Sequence, residues 1–330
     1  MIRRDALLSL LALGTLSACE GGPGKGKKLK IAVIPKGTTH EFWKSVHAGA
    51  VKASRELGEV EMVWKGPLKE DDLKSQIDIV QSMTAQGVAG IVLAPLNDKA
   101  LLNPVKAAAA AGIPVVIFDS DLQGQAHVSF VATDNKAAGA RAAEHLGKAL
   151  AGAGKVVVLR YQEGSASTAA REGGFLEALK KSFPAVTLVS DSQYGGATTE
   201  SAFATSENLL AASKAAEGGV TGVFCPNEST TFGMLLALRK AGLAGKIKLV
   251  GFDASDKLIQ GLREGHIEGL VVQNPLRMGE LAVRALVGHL RGQKQEARTD
   301  TGSRVVTKAD LDAPEVKELL APDLKKWLGE

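Results

Sequence analysis

The sequence predicts an α/β protein built from two doubly wound parallel-sheet lobes, and three observations carry this. Strand-like and helix-like segments alternate from residue 29 to about residue 291 with short connections, the order of repeated βαβ units. The strand candidates are continuous apolar runs, as in parallel strands covered by helices on both faces. The alternation is punctuated at Thr133-Asp134-Asn135 and restarts at Lys136, so two similar halves meet near Thr133.

The stretch 90–121 shows the pattern in full. An apolar run at 91–93 ends in Ala94-Pro95, an Ala- and Leu-rich segment follows at 98–111, and a second apolar run at 114–118 stops in Asp119-Ser120-Asp121. The middle segment has the composition of a helix. Asn97 or Asp98 can cap it, unless Pro104 kinks it or starts it with Asn103 as the cap. Gly112 stands where a helix end wants a left-handed residue. Ligands of open parallel sheets bind beyond the carboxyl ends of the strands, which makes Asp119 a candidate by position, against the plainer role of capping a turn.

The other elements follow in order. A first strand spans 29–35 and a loop 36–40. A helix at 41–57 carries apolar residues at 42, 43, 46, 50, 53 and 57. A strand at 59–64 precedes a helix at 71–86 with Leu73, Ile77, Val80 and Met83 on one face. A short strand at 128–132 ends the first half. The second half reads as helix to 150, strand 155–159, helix 168–182, strand 186–189, helix 198–212, strand 220–224, helix 229–241, strand 247–252, helix 255–264, strand 267–272 and helix 276–291. The tail adds a strand at 304–307 and a short helix near 324–328.

Composition excludes several classes. The net charge of +4 falls to +3 without residues 1–18, and no basic run carries interleaved aromatics, so nucleic acid is not an expected partner. There is no phosphate-binding Gly-x4-Gly-Lys-Ser/Thr, no Gly-x-Gly-x-x-Gly after the first strand, no His-Glu-x-x-His and no cysteine pair at zinc spacing. No cofactor, metal site or enzymatic activity is expected. Only 4% of residues are aromatic, so an aromatic beside a candidate site is informative. Cys225 follows an apolar run and reads as a small buried hydrophobe, since no histidine stands near it in sequence.

The N-terminus places Arg3-Arg4, an apolar core at 6–13 too short to span a bilayer, and Leu16-Ser17-Ala18-Cys19 in that order. This resembles the lipobox of bacterial lipoproteins, which implies a signal peptide at 1–18 and lipidation of Cys19 as an anchor on the periplasmic or cell-surface side of the membrane. Residues 19–28 are Gly/Lys-rich and read as a flexible tether.

Eight segments resemble, in family order, the periplasmic ribose-type sugar-binding proteins of ABC transporters: IAVIPKGTTHEFWKSVHAGA (31–50), GIVLAPLNDKA (90–100), GIPVVIFDSD (112–121), VATDNKAAG (131–139), STAAREGGF (167–175), VFCPNEST (223–230), LVGFDASD (249–256) and VVQNPLRMGELA (271–282). The resemblance implies two α/β lobes joined by a three-crossover hinge near Thr133, Gln273 and Thr301. It implies an N-terminal lobe of 29–133 plus about 274–303, and a C-terminal lobe of 134–273 plus about 304–330. Matched position by position, it implies ligand contacts from the aromatic pair Phe42 and Trp43 and from Asp119, Arg171, Asn227, Asp253 and Gln273. The chain departs from the pattern in having His40, Ala94 and Ser120 where the family keeps Asn, Asn and Arg, and in lacking an aromatic near Ala197. The general sugar-binding role survives these changes; the identity of the sugar does not. His40 is carried as a candidate contact, although a turn or cap role is the plainer reading.

These residue types suit a sugar. Aromatic planes cover its apolar C–H faces, while planar Asp, Asn, Arg and Gln each bond two neighbouring hydroxyls, and a missing hydroxyl leaves a buried group unpaired. Each has an ordinary alternative. A helical stripe containing Phe42 and Trp43 reads as core, Arg171 as a solvated helix residue, and Asn227 and Asp253 as helix caps. Asp119 and Asp253 could also be drawn as a hydrolytic pair, but both have ready binding roles. The resemblance therefore implies a monomeric substrate-binding lipoprotein that closes on a monosaccharide or small polyol and delivers it to an ABC permease and its ATPase. The alternative is a sensor presenting its ligand to a chemoreceptor or histidine kinase.

Overall fold

The structure, a computed structural model, describes residues 28–329. The predicted signal segment, Cys19 and all but the last residue of the tether lie outside them. The first lobe begins with β1 (Leu29–Ile34), α1 (Glu41–Leu57), β2 (Val60–Trp64), α2 (Leu73–Ala85), β3 (Gly90–Leu93), α3 (Leu102–Ala110), β4 (Val115–Phe118) and β5 (Ser129–Ala132). The second holds α4 (Asn135–Ala149), β6 (Ala153–Arg160), α5 (Ala166–Ser182), β7 (Ala185–Tyr194), α6 (Thr199–Ala212), β8 (Gly222–Phe224), α7 (Glu228–Lys240), β9 (Lys248–Phe252), α8 (Asp256–Arg263) and β10 (Gly269–Gln273). The chain then returns through α9 (Pro275–Leu290) and β11 (Arg298–Asp300), crosses again to β12 (Ser303–Val306), and ends in α10 (Pro314–Leu320) and α11 (Leu324–Leu328).

The strands form two six-stranded sheets of order β11-β5-β4-β3-β1-β2 and β12-β10-β9-β8-β6-β7. Every pairing is parallel except β10 with β12. In β1, Ile31 and Val33 enter one apolar cluster and Ala32 and Ile34 the other. Both faces of the strand are thus covered, which is why its sequence is apolar without alternation. Cys225 is buried in the second lobe's core, and burial pushes its thiol pKa up; it packs as the sequence suggests.

Three crossings join the lobes: β5 to α4, β10 to α9, and β11 to β12. They are tied to one another. Thr133 Oγ1 lies 3.3 Å from Thr301 Oγ1, and Asp300 Oδ1 accepts from the backbone N–H of Asp134 at 3.0 Å and of Gly302 at 2.9 Å.

Some expectations need correcting. The tail beyond 304 stays with the second lobe only as far as α10. Val306, Leu311 and Val316 pack into that lobe's core, but α11 lies on α1 of the first lobe, where Arg55 Nη1 donates to the Lys326 carbonyl at 3.3 Å. The βαβ helix starts later than residue 98. Asn97 Oδ1 accepts from the backbone N–H of Lys99 and Ala100, capping a turn that precedes α3. Pro104 falls in the first turn of α3, where no N–H is required. The short edge strand β11, Arg-Thr-Asp, carries no apolar residue to signal itself, and α10 is only seven residues long.

Two helix pairs pack at backbone distance through reciprocal glycines. A Cβ on Gly49 of α1 would stand 1.9 Å from the Leu276 carbonyl oxygen, and one on Gly279 of α9 2.1 Å from that of Val46. In the second lobe Gly139 of α4 faces the Arg171 carbonyl at 2.0 Å and Gly174 of α5 that of Lys136 at 2.1 Å. A methyl group would force the backbones apart. Gly279→Ala is expected to destabilise the first lobe by about 1–3 kcal/mol, read as a lower Tm in a thermal melt, although alanine is the better helix former. An unchanged Tm would mean that α1 and α9 are not held at this distance.

Candidate functional site

The carboxyl ends of both sheets face each other across a cleft. Between them lies a cavity lined by Lys36, His40, Phe42, Trp43, Glu70, Asp119, Tyr161, Ser167, Thr168, Arg171, Asn227, Glu228, Asp253 and Gln273. All eight binding candidates named from sequence are on this wall. The structure adds Lys36, Glu70, Tyr161, Ser167, Thr168 and Glu228.

Asp119 and Asp253 occupy matching places. Each follows the fourth strand of its lobe, β4 or β9, at positive φ (59° and 68°). Each donates its N–H to the neighbouring strand, to Val131 O at 3.0 Å and to Val271 O at 2.9 Å. Aspartate tolerates the left-handed region better than most residues, and here that conformation turns the chain out of the strand at the cavity. Asp253 does not cap the helix that follows, since α8 begins after Ser255. Asp253 instead accepts from Gln273 Nε2 at 2.7 Å and from the Glu228 N–H at 3.1 Å. Burial pushes its pKa up, against the pull of Arg171.

Arg171 is 2% exposed, far from the solvated helix residue that its sequence context would suggest. Close packing at Gly139 brings α5 against α4. Arg171 Nε donates to Asn135 Oδ1 at 2.8 Å, Nη1 donates to the Pro226 carbonyl at 2.9 Å, and the guanidinium lies 3.9 Å from the Phe252 ring centroid. Asn227 does cap α7, accepting from the Thr230 N–H, and lines the cavity from that position. Phe42 and Trp43 are both buried and meet edge to face at 4.9 Å, with Phe118 behind Trp43 at 6.1 Å.

Glu70, in the β2–α2 connection, is the hub that the sequence reading missed. Its Oε1 accepts from Trp43 Nε1 at 2.7 Å and pairs with His40 Nδ1 at 2.6 Å, and its Oε2 accepts from the Tyr161 hydroxyl at 2.7 Å. Burial alone would push the His40 pKa down, but the Glu70 carboxylate carries it up to about 9. Burial likewise opposes ionisation of Glu70, and His40, Lys36 and Trp43 outweigh it, taking its pKa down to about 2. His40 is therefore a cation in an ion pair, and its side chain makes no helix cap. Lys36, 3% exposed, donates to Ser165 Oγ and Ser167 Oγ at 3.2 Å and pairs with Asp119 Oδ2 at 3.3 Å. The strand-end rule applied at 90–121 would have found Lys36 after β1 and Tyr161 after β6, one of only two tyrosines in the chain. Gln76 fixes this floor by donating to Pro35 O and Ala94 O and accepting from the Leu96 N–H.

The lobes are closed on each other, and helix ends carry part of the contact. The N-caps of α1, α5 and α8 (His40, Ser165 and Ser255) make no side-chain cap. Partners from the opposite lobe supply one. Ser120 Oγ accepts from the Ser167 N–H at 3.0 Å, Glu41 Oε2 from the Asp256 N–H at 3.2 Å, and the Glu228 carboxylate from the Phe42 amide. Free N–H groups at a helix start favour such acceptors. Across the same cleft Gln162 Nε2 donates to Glu70 O at 3.0 Å and the Asp98 N–H to Gly164 O at 3.0 Å.

Two parallel-sheet lobes, three crossings and a polar cavity at the facing strand ends are the architecture of a solute-binding protein. The model of the periplasmic binding protein domain matches residues 31–294, and the chain belongs to the periplasmic binding protein family, with the type I fold. A D-ribose/D-allose-binding protein of Pseudomonas aeruginosa is 28% identical over 313 residues, covering 91% of this chain and 96% of the relative. A carbohydrate transporter solute binding protein from Agrobacterium radiobacter, crystallised with D-arabinose, superposes with a TM-score of 0.84 at 34% identity, covering 89% of this chain and 99% of that one. An ABC transporter solute binding protein from Agrobacterium vitis with bound D-fucose gives 0.84 at 36% identity, covering 88% and 100%. These relatives are named for what they bind, not for a reaction.

Proposed function

We propose that this chain is the substrate-binding lipoprotein of an ABC importer and that it carries a monosaccharide or related small polyol. The observation that carries the reading is the cavity wall. Planar side chains with two hydrogen-bonding atoms each (Asp119, Asp253, Asn227, Arg171 and Gln273) surround an aromatic corner formed by Phe42 and Trp43. Such a wall matches a ring with apolar faces and a hydroxyl rim. A relative named for D-ribose and D-allose, and similar structures holding D-arabinose and D-fucose, support the same class.

The ligand enters the open form, and closure assembles the wall, because Asp119 and Arg171 come from opposite lobes. The hinge at Thr133, Gln273 and Thr301 accommodates the motion, and the ligand must bind the closed form better than the open one. The closed monomer then docks on the permease, which its ATPase drives. The protein acts in the periplasm or at the cell surface, anchored through acylated Cys19. Among the described residues no helix is long and apolar enough to cross a membrane, so the proposed hold on the membrane is lipid.

Calorimetric titration of the chain from residue 29 onward against pentoses, hexoses and polyols tests the reading. One-to-one binding of one sugar, weakened at least tenfold by Asp119→Ala, is the expected result. No heat from any of them would remove the sugar and leave a solute-binding protein for another ligand class.

A further inference from the structure

Among the described residues, four buried side-chain polar atoms have no hydrogen-bond partner: His127 Nδ1, Arg171 Nη2, Glu228 Oε2 and Gln273 Oε1. The last three belong to residues that line the cavity between the lobes, and all three come from the second lobe. A buried polar atom without a partner is costly, so three on one wall point to a ligand that satisfies them. Arg171 and Gln273 are already assigned to the ligand above; Glu228 is not. Resting on that sugar reading, we propose that Glu228 is a specificity-determining residue that engages one hydroxyl of a neutral polyol as a protonated carboxyl, beside the hydroxyls taken by Arg171 and Gln273.

Geometry fixes the carboxyl in place. The Glu228 backbone N–H is held by Asp253 Oδ2 at 3.1 Å, and the Phe42 amide of the opposite lobe holds its side chain. One carboxylate oxygen is left for the ligand. The hydrogen-bonding senses are complementary to hydroxyls: Arg171 Nη2 can only donate, Gln273 Oε1 can only accept, and a protonated carboxyl can do either.

Charge favours the protonated form. Lys36, His40 and Arg171 are balanced by Asp119, Glu70 and Asp253, so an ionised Glu228 would leave the cavity with an excess negative charge. Burial pushes the Glu228 carboxyl up to about 7. Asp253 and Glu41 push the same way, while His40 and the Phe42 amide oppose them. A cationic ligand such as an amino sugar would suit the ionised form, and a neutral sugar suits the protonated one.

The test is calorimetric titration between pH 6 and 8 with D-ribose, D-arabinose, D-allose and D-fucose, and with singly deoxygenated analogues of whichever binds. His40 keeps its proton across this range, so it does not confuse the slope. Wild-type affinity is expected to fall as pH rises through about 7. Glu228→Gln keeps a donor and an acceptor; it should bind within about threefold of wild type at pH 6 and lose the pH slope. Glu228→Ala should bind about tenfold or more weakly, and in that background the loss of one particular hydroxyl should cost nothing further. A merely structural role in closure would weaken every analogue equally and leave all hydroxyl costs unchanged, which would overturn the proposal. So would wild-type affinity in Glu228→Ala, affinity that rises with pH, or a glutamine variant as weak as the alanine one. Failure of wild type to bind any of these sugars would overturn the sugar reading and this inference together; binding without coupling to Glu228 overturns this inference alone.

Discussion

Arg171→Ala is expected to abolish sugar binding at millimolar concentrations, a loss of at least about a hundredfold. The guanidinium of this cavity-lining residue leaves one nitrogen without a partner and spends the others on Asn135 Oδ1 and the Pro226 carbonyl. Its removal takes away the charge-assisted contact proposed for the ligand and leaves two buried acceptors without a donor. It also withdraws the positive charge that favours ionisation of Asp253, so Asp253 will take up a proton at higher pH than before. Unpaired buried groups of this kind cost about 1–3 kcal/mol each, so the second lobe should also melt at lower temperature. Lysine will not rescue binding, because a point charge cannot reach Asn135, Pro226 and the ligand as a planar fork does. Calorimetry and a thermal melt check both effects. Binding within fivefold of wild type would show that Arg171 only braces α5 against α4.

The second large effect is at Glu70. Glu70→Gln is expected to lower stability by an amount of order 3 kcal/mol, the equivalent of the His40 displacement from 6.5 to about 9. Glutamine presents an NH2 to a site where histidine, tryptophan and tyrosine all act as donors. The sign of the pH dependence follows from the two shifts. His40 is raised, so its contribution is complete below about 6.5 and is lost as pH rises through 9. Glu70 is lowered, so its contribution is present above about 4.5 and is lost as pH falls through 2. The pair is therefore at full strength between about pH 4.5 and 6.5. Wild-type Tm should decline from pH 7 to pH 9.5, and the decline should be smaller in Glu70→Gln. Equal slopes in the two proteins would mean that His40 does not carry the charge. Tyr161→Phe separates folding from closure. Tyr161 reaches Glu70 from the opposite lobe, so its loss should weaken ligand affinity while leaving the His40–Glu70 pair, which lies within the first lobe, intact.

Both effects concern residues with very different visibility in the sequence. Arg171 was reachable through a family resemblance carried by STAAREGGF, although composition alone made it an ordinary surface arginine. Glu70 was not reachable. It sits in the irregular connection 65–72, where neither period nor strand-end position marks it, and its partners lie 27, 30 and 91 residues away in sequence. Lys36 and Tyr161 fall between these cases, since both follow strands whose ends the apolar runs mark to within one residue.

By itself the sequence determined the two-lobed α/β architecture. Continuous apolar runs that alternate with helix-like segments are what parallel strands covered on both faces require, and such strands leave their carboxyl ends as the place for polar residues. It also determined which strand ends carry Asp119, Asn227, Asp253 and Gln273. The tertiary structure alone decided how these groups are charged and what they touch. Packing Gly139 against the Arg171 carbonyl buries a guanidinium, setting His40 against Glu70 makes a cation of a loop histidine, and bringing the lobes together caps three helix starts from across the cleft. It also decided that α11 lies on the first lobe, through a contact between residues 55 and 326. Periodicity is a local property of the chain, whereas desolvation and Coulomb interaction depend on which distant residues folding brings within a few ångströms.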